Sequence, residues 1–481
     1  IKNICDLYKT YIEVTGNVGE TLDQFYGWGQ LLLADFDDID KNLADARLIF
    51  SNISNLRELD DISYLNDEQK AELHRFFANF DDRSEGIRER FITLWERLND
   101  IYNRFREKLR SQELAYEGML YRDVAEQADI QTRYQHYAFV GFNVLQKVEQ
   151  RVFKRFKEEE KADFYWDYDR YYMGRTNEAG NYIRQWLDRF PNSLPNDNDE
   201  LYDNLGKEKE ISFVSAPTEN LQARYITEWL RKDGRYKDGT HTAIVLCDEH
   251  LLQTVIHCIP SEVETLNITT GYPLQQTPIA SMVTQLLILQ TEGYSVQEQG
   301  YRLHHVSRVL RHPYGKYLIP NVSEVLEQLS KDHRFYIPPR SGTLLEYHPS
   351  DRQHLPALAD WLTRNIRLIG VNGAADKDPL FEESVFRMFT LLTRLSDLMA
   401  GGDLEADKVV FRRLLTQLVS STSIPFHGEP ARGVQVMGVL ETRNLDFDHV
   451  LVLSCNEGNM PKGVDDSSFI PHLIRKAYDL T

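Results

Sequence analysis

Residues 433–461 read GVQVMGVLETRNLDFDHVLVLSCNEGNMP, and the fold prediction for this chain starts from them. Two runs rich in Val, Leu and Met, 434–439 and 449–453, are separated by a polar turn. Short apolar runs bounded by turn residues are typical of buried strands. A loop with Pro461 follows the second run. We therefore predict a strand, a turn, a second strand and a loop, as in an α/β domain.

Strand patterns also occur in two earlier blocks of the chain. Residues 137–142 and 162–166 are apolar runs on either side of a helical pattern, and this order indicates a parallel α/β unit. A second α/β block follows residues 191–206, which are rich in Pro, Asn and Asp and are predicted to be a linker. Its strands are predicted at 210–215, 241–246 and 264–268, with helical patterns between them.

Apolar residues at helical spacing occupy most of the remaining sequence. The segments 25–50 and 87–114 carry such stripes near the start of the chain, and 278–420 returns to helical patterns. The predicted order is therefore helical, α/β, α/β, helical and again α/β. A helical block inserted into one α/β domain explains why strand patterns resume near residue 434.

The charge balance limits the function classes that fit the chain. With 74 acidic and 55 basic residues, the net charge is −19, which argues against nonspecific nucleic-acid binding over the whole surface but leaves room for a local basic strip. No apolar run reaches the roughly 20 residues that a membrane span requires. The four cysteines form no C-x-x-C pair, which favours a reduced, cytoplasmic protein with buried thiols. Because the chain begins at Ile1 rather than Met, we expect an internal fragment of a longer protein.

Motifs for nucleotide hydrolysis, metal binding and nuclease chemistry are missing from the sequence. It has no G-x-x-x-x-G-K-[ST] phosphate loop, no H-E-x-x-H and no Pro-Asp dipeptide. The acidic run 35–40 is interpreted as a solvated face of a helix, and Asp167 with Asp169 as a structural turn after a strand. We predict no catalytic and no metal-binding residues.

The window 301–317 is basic in an otherwise acidic chain. It contains no Asp or Glu, and tyrosines are interleaved with its cationic residues, an arrangement that suits phosphate contacts and base stacking. A helix that pairs with the acidic surface of another domain is an equally open alternative. His304 and His305 are adjacent, so we expect them to diverge on a helix and to share no metal. The predicted DNA contacts are Arg302, Arg308, Arg311 and Lys316, beside Tyr301, Tyr314 and Tyr317.

The segment 434–461 resembles motif V of UvrD-type superfamily 1 helicases, in the drifted form of AddB/RexB-type subunits. Active helicases carry T-x-H-x-x-K-G-L-E-F here, and Leu445 and Phe447 match that pattern. The alternative is that the segment is an ordinary strand pair of a Rossmann-like sheet, which could carry a similar sequence. The departures from the pattern are Leu440 for His, Arg443-Asn444 for Lys-Gly and Asp446 for Glu.

The resemblance implies roles for three of these residues. The Lys-Gly turn lies near DNA in that family, so Arg443 and Asn444 are expected to contact DNA. The acidic residue reaches the nucleotide sugar, which implies nucleotide binding by Asp446. These substitutions, together with Leu440 in place of His, put ATP-driven stepping in doubt, while the fold stays recognisable.

Other segments carry weaker parts of the same resemblance. Residues 139–149 are similar to the degenerate motif II of AddB-type subunits, without the Asp-Glu pair that binds Mg²⁺ in an active ATPase. Residues 215–226 resemble the opening of a second motor domain. The segments 115–122 and 267–273 resemble phrases of PD-(D/E)xK nuclease family proteins.

The resemblance implies an α/β fold with two RecA-like P-loop NTPase-type domains, the first one truncated, and with large helical insertions. The expected division is a helical insertion of the first motor domain at 1–135, the remainder of that domain at 136–206, the first part of the second at 207–285, its helical insertion at 286–424 and its resumed part at 425–481.

The expected function follows from the same resemblance: a helicase-like DNA-binding scaffold in a helicase–nuclease complex that processes double-strand DNA ends for recombinational repair. Its expected partners are DNA ends, single strands and a subunit of the AddA type, and its exonuclease is expected beyond residue 481. We expect no cofactor in this fragment, with ATP and Mg²⁺ reserved for the full-length protein. Two alternatives stay open: a structural protein-interaction subunit that binds no nucleic acid, and an active superfamily 1 helicase whose phosphate loop lies upstream.

Overall fold

The fold is taken from a computed structural model of the chain. It describes residues 1–17, 19–54, 87–128, 132–195, 199–331, 335–349, 354–374, 378–404, 406–425, 432–462, 468–470 and 472–480. Contacts between Cα atoms divide the chain into two compact units. Unit 1 comprises residues 1–214 and 465–481, and unit 2 comprises residues 215–464.

The first part of unit 1 is helical, as predicted. Its apolar stripes meet in a core of aromatic side chains, where Phe25, Phe36 and Phe105 are fully buried. The ring of Phe36 meets that of Tyr102 edge-on, with centroids 5.1 Å apart. The α-helices described here are α1 (Lys2–Thr15), α2 (Leu22–Lys41), α3 (Ala46–Ser54), α4 (Ile87–Ser111) and α5 (Glu117–Glu126).

A buried carboxylate, Asp40 of α2, joins three of these helical segments. Its Oδ1 accepts hydrogen bonds from Tyr102 Oη at 2.6 Å and from Arg122 Nη1 at 3.1 Å. Its Oδ2 accepts a further hydrogen bond from Tyr116 Oη, and Arg106 Nη1 lies 3.6 Å from Oδ1. A buried charge is tolerated when it is paired and hydrogen-bonded in this way. Asp40 therefore ties α2 to α4 and α5.

The acidic run 35–40 is not the solvated helix face that its sequence suggested, because Asp35 and Asp40 are both buried. Asp35 accepts hydrogen bonds from Ser468 Oγ at 2.6 Å and from the Phe469 backbone N–H at 2.7 Å. Burial raises the pKa of Asp35 to about 7, against the lowering effect of these hydrogen bonds. The interpretation was wrong because helical periodicity cannot reveal that a distant segment packs over the polar side of α2.

A small parallel sheet forms the other part of unit 1. Strand β1 (Tyr137–Val140) pairs in parallel with β2 (Ala162–Tyr165), and α6 (Lys147–Glu158) connects the two strands. This confirms the predicted strand–helix–strand unit. Helices α7 (Asn181–Arg189) and α8 (Asp199–Tyr202) follow. The core of this part contains Phe153, Phe164, Trp166, Trp186 and Phe190.

Near the end of the linker predicted at 191–206, the described residues after 198 make specific contacts with the segment that follows β2. Tyr202 is buried and stacks on Tyr168, with ring centroids 4.5 Å apart. Asp169 accepts hydrogen bonds from the backbone N–H groups of Asn204 at 2.8 Å and Leu205 at 2.7 Å. Slight burial raises the pKa of Asp169, but the backbone N–H donors lower it by more. The pKa therefore lies below its usual value. The structural turn predicted at Asp169 is thereby confirmed.

Unit 2 contains strands before and after a largely helical block. Its described α-helices are α9 (Glu219–Arg231), α10 (Leu252–Cys258), α11 (Pro278–Ile288), α12 (Leu303–Arg311), α13 (Gly315–Leu318), α14 (Val322–Lys331), α15 (Leu355–Gly373), α16 (Pro379–Ala400) and α17 (Lys408–Ser420). Its described strands are β3 (Thr242–Leu246), β4 (Leu266–Ile268), β5 (Tyr272–Pro273), β6 (Tyr294–Ser295), β7 (Gly300–Arg302), β8 (Tyr336–Ile337), β9 (Ser423–Ile424), β10 (Val434–Gly438) and β11 (His449–Leu453). The further helix α18 (His472–Ala477) belongs to unit 1.

A parallel four-stranded sheet with the order β11-β3-β10-β4 forms the centre of unit 2. Strand β10 pairs with β3 and with β4, and β11 pairs with the other side of β3. Every residue of β3 and β10 is buried, as the apolar runs predict. The strands on both sides of the inserted block therefore share one sheet, and the chain has a mixed α/β fold.

The inserted block holds small sheets that the sequence did not indicate. Strands β6, β7 and β8 form an antiparallel sheet, and β5 pairs with β9. These strands have two or three residues each, too few to show an alternating pattern. The long helices α15 and α16 pack against each other beside them. Among the described residues, no helix combines the length and the apolar character that a membrane crossing needs.

The strand predicted at 210–215 does not form, although the segment is described in full. These residues belong to no sheet, and Phe213 is 96% exposed, with Ile211 and Val214 also exposed. A strand is stable only when a neighbour satisfies its backbone N–H and C=O groups, and this segment has no such neighbour in the sheets. The boundary between the two units falls at its end, after Val214.

The Asp40 network gives a first prediction. Asp40→Ala is expected to lower the free energy of unfolding by about 3–5 kcal/mol, because it takes the buried carboxylate away from Arg106 and Arg122. Tyr116→Phe removes one hydrogen bond and is expected to cost about 1–2 kcal/mol. Urea unfolding followed by tryptophan fluorescence measures both losses.

Glu13→Ala is the matched control for Asp40, because it breaks the exposed pair between Glu13 and Lys108 in the same helical part. We expect this variant to lose less than about 1 kcal/mol. A loss at Asp40 no larger than the loss at Glu13 would contradict a structural role for the network.

Candidate nucleic-acid interface

The basic window of the sequence lies mainly on helix α12. Val306, Val309 and Leu310 form the buried face of this helix at the spacing of three and four residues that an amphipathic helix requires. Arg308 and Arg311 point away from that face and are exposed. Residues three apart are neighbours on a helix surface. Helix α12 therefore presents two guanidinium groups side by side.

A cleft of about 730 Å³ lies beside these two arginines. It has no acidic residue among its described lining residues, although the net charge of the whole chain is −19. Guanidinium groups bind phosphate through paired, charge-assisted hydrogen bonds. The cleft therefore has the charge and the donors that an anionic ligand needs. Its lining residues are Gln285, Leu303, His304, Ser307, Arg308, Arg311, His312 and Phe335.

The aromatic ring of this cleft belongs to Phe335, which the sequence analysis did not single out. Its side chain is 81% exposed. The Phe335 carbonyl oxygen accepts a hydrogen bond of 2.9 Å from the backbone N–H of Leu303, the first residue of α12. The next residue, Tyr336, pairs with Arg302 of β7. This antiparallel pairing brings Phe335 to α12, and no local sequence pattern could have revealed it.

The tyrosines of the window pack inward rather than into the cleft. Tyr301 is fully buried, and its Oη accepts a hydrogen bond from Gln290 Nε2 and donates one to the Glu346 carbonyl oxygen. The base-stacking role suggested for Tyr301 is therefore wrong, because this ring belongs to the core. The rings of Tyr314 and Tyr317 lie against Phe381, with centroid distances of 5.2 and 5.6 Å, and do not line the cleft.

Two adjacent histidines at the start of α12 lie closer together than expected. The rings of His304 and His305 do not diverge, since their centroids are 3.9 Å apart. Burial lowers the pKa of His305, and the neighbouring His304 and Arg308 lower it further. Within the described residues, no group of three or more His, Cys, Asp or Glu side chains is placed to hold a metal ion. Of the two histidines, exposed His304 lines the cleft and His305 is buried behind it.

A third histidine, His312, is held in the cleft wall as a neutral ring. Its Nδ1 accepts a hydrogen bond of 3.1 Å from the Tyr314 backbone N–H. Its Nε2 must then carry the proton, which it donates to Ser281 Oγ at 2.7 Å. Burial lowers the pKa of His312. The positive charge of the cleft therefore comes from Arg308 and Arg311.

The other two predicted DNA contacts of the window lie outside the cleft. Arg302 donates a hydrogen bond of 2.6 Å from Nη1 to the Glu292 carbonyl oxygen. Lys316 Nζ lies over the ring of Tyr317, 4.6 Å from its centroid. Arg302 thus supports the local backbone, while Lys316 is exposed and does not line the cleft.

The motif-like residues Arg443, Asn444 and Asp446 follow β10 and are all exposed. Asn444 has a left-handed backbone with φ 57°. Phe447, after the turn, packs against a core formed by Ala243, Val245 and Met437. The turn therefore lies at the carboxyl end of β10, where parallel sheets bind ligands, and it does not line the basic cleft.

No protein-family model and no curated protein matches this chain. The site is therefore assigned from the charge and geometry of the cleft and from the exposed turn after β10.

A second prediction concerns the two aromatic residues with opposite environments. Phe335→Ala is expected to change the free energy of unfolding by no more than about 0.5 kcal/mol, because the ring is in solvent. Tyr301→Ala is expected to cost about 3–5 kcal/mol, because it empties a fully buried site. Both are measured by urea unfolding. A large loss for Phe335→Ala would show that this ring is structural and not available to a ligand.

Proposed function

We propose that this chain is a helicase-like DNA-binding scaffold, and that the cleft beside α12 holds a single-stranded stretch of a processed double-strand DNA end. The observation that carries the proposal is the cleft itself: Arg308, Arg311 and exposed Phe335 meet at one place in a strongly acidic chain. Arginines contact phosphates of any sequence, and an aromatic ring stacks on any base.

The geometry favours single strands over duplex DNA. Base stacking on a protein ring needs an unpaired base, because the faces of paired bases are covered by their neighbours in the helix. Phe335 lies in the same cleft as two phosphate-binding arginines, which suits a strand whose bases and phosphates are both within reach. Single strands at resected ends have this character.

The helicase-like part of the proposal is supported by the turn after β10. Active helicases carry glycine where Asn444 stands, and Asn444 adopts the left-handed backbone that glycine adopts most readily. Asn is among the non-glycine residues that enter this conformation at the lowest cost. Phe447 matches the motif and fills the core beside β3 and β10. On this basis we assign unit 2 to a RecA-like domain that contains a large insertion.

The same proposal assigns no ATP hydrolysis and no DNA cleavage to these residues. The sequence contains no phosphate loop, and Asp446 stands where active helicases use Glu. The motor and nuclease activities would come from a partner subunit of the AddA type and from other parts of the full-length protein, with ATP and Mg²⁺ bound there.

A third prediction tests the cleft. Arg308→Ala combined with Arg311→Ala is expected to weaken binding of a labelled oligothymidylate roughly tenfold or more, and to reduce the slope of log K against log salt by about 0.7 for each lost phosphate contact. Phe335→Ala is expected to weaken binding with no change in the slope, because stacking releases no counterions. Fluorescence anisotropy at several salt concentrations measures both effects.

Arg394→Ala is the matched control, since Arg394 is an exposed arginine of α16 outside the cleft. Arg394→Ala removes one positive charge, as each of the two cleft substitutions does. It should leave the affinity for oligothymidylate and the slope of log K against log salt nearly unchanged. Equal measurable affinity for the wild type and the double variant would contradict the cleft as the binding site, and no detectable binding by the wild type would favour a protein-interaction subunit that binds no nucleic acid.

A fourth prediction tests the absence of catalysis. The chain of residues 1–481 is expected to show no DNA-stimulated ATPase and no nuclease activity above the background of a mock preparation, because it lacks the phosphate loop that positions a nucleotide. Phosphate release and degradation of labelled DNA, each with Mg²⁺ present, are the measurements. Appreciable ATP turnover would favour an active helicase. Loss of that turnover in Asp446→Ala would show that the ATPase activity belongs to this chain and not to a contaminant.

A further inference from the structure

Two cysteines that are far apart in the sequence lie side by side in unit 2. Cys247 directly follows β3, and Cys455 follows β11 after one intervening residue. These strands are parallel neighbours, and their last residues, Leu246 and Leu453, are paired in register. The Cys247 backbone N–H donates a hydrogen bond of 3.1 Å to the Leu453 carbonyl oxygen. The two strands are thus still hydrogen-bonded to each other at the point where the cysteines follow them.

The residue between β11 and Cys455 brings the second thiol towards the first. Ser454 has a left-handed backbone with φ 56°, which ends the strand alternation. Its N–H donates a hydrogen bond of 2.9 Å to Gln222 Oε1, and its carbonyl oxygen accepts one of 2.8 Å from the Asn456 N–H. The turn is therefore fixed at both peptide groups. The side chains of Cys247 and Cys455 lie within hydrogen-bonding reach of each other.

The two thiols differ in exposure, and this difference sets their order of reaction. Cys455 is exposed, whereas Cys247 is half-buried. Burial raises the pKa of Cys247, and the neighbouring Cys455 raises it further. Because Cys455 is the more exposed of the two thiols, it is the one that meets a reagent from solution first. Cys247 is placed to react with it in a second step.

We propose that Cys247 and Cys455 form a redox-active dithiol that a small-molecule disulfide, of the glutathione disulfide class, converts to an intramolecular disulfide. The Cys455 thiolate attacks one sulfur of the oxidant, which forms a mixed disulfide and releases one small-molecule thiolate. Cys247, deprotonated, then attacks the sulfur of Cys455 and displaces the second thiolate. The two released thiolates take up the two protons of the dithiol, so two thiols of the protein are oxidised and one disulfide of the oxidant is reduced.

The disulfide would stabilise unit 2 without changing the strand pairing of its central sheet. It would join the carboxyl ends of β3 and β11, which are already paired, and would close a loop that contains the whole inserted block. A cross-link over a long loop restricts the unfolded chain more than the folded one. The oxidised protein is therefore expected to unfold at a higher temperature than the reduced protein.

The experiment incubates the reduced protein with glutathione and glutathione disulfide at a series of ratios, blocks free thiols with an alkylating reagent and maps the peptides by mass spectrometry. The expected result is a cross-linked peptide pair containing Cys247 and Cys455, lighter than the two reduced peptides by two hydrogen atoms, and a rise in unfolding temperature that a reductant reverses. Cys258→Ser and Cys5→Ser are the controls and should leave this cross-link unchanged.

Two single variants separate the proposal from simple surface modification. Cys247→Ser should make Cys455 accumulate as a stable mixed disulfide with glutathione, because the second step is removed. Cys455→Ser should leave Cys247 largely unmodified. Wild-type protein that keeps both thiols alkylatable in glutathione disulfide alone, or that stops at glutathionylated Cys455, would overturn the proposal.

Discussion

Strand β10 lies between β3 and β4 and forms backbone hydrogen bonds with both, so the central sheet of unit 2 depends on its pairing. Val434 and Val436 are fully buried, and Asn267 Nδ2 donates a buried hydrogen bond of 2.6 Å to Gln435 Oε1 across β10 and β4. Because β10 follows the inserted block, its pairing closes a long loop, and the entropic cost of closure rises only slowly with length. The sheet therefore tolerates the insertion, and the block that carries the basic cleft begins and ends at this sheet.

The part of the fold that could be predicted is the part that local patterns encode. Strands β3 and β10 are mostly apolar because both faces of a central parallel strand are covered, and this nearly continuous apolar pattern is visible in the sequence. Residues 210–215 also look like a strand, yet they join no described sheet, because strand formation depends on a neighbouring strand and not on the segment alone. Likewise, the burial of Asp35 depends on Ser468 and Phe469, which are distant in the sequence.

The candidate site divides in the same way. Arg308 and Arg311 could be found from the sequence, since a run of basic residues without acidic ones is a local property. Phe335 could not, because it reaches α12 through the pairing of β7 with β8, two strands too short to recognise. The tyrosines of the window were predicted to stack on bases because aromatic residues next to basic ones suit nucleic acid. Tyr301 is instead buried in the core, a use that the same local pattern allows. Only burial separates these two uses.

The carboxyl edge of the central sheet connects the two proposals. In a parallel sheet the carboxyl ends of all strands lie at one edge, so the turn that follows β10 and the cysteines that follow β3 and β11 share that edge. Asn444 and Ser454 both adopt left-handed backbone conformations there. The first conformation shapes the exposed turn after β10, and the second brings Cys455 to Cys247. Oxidation of the proposed dithiol would thus add a covalent link at the edge that also carries the exposed turn after β10, and would act on the rigidity of that edge rather than on the charge of the cleft at α12.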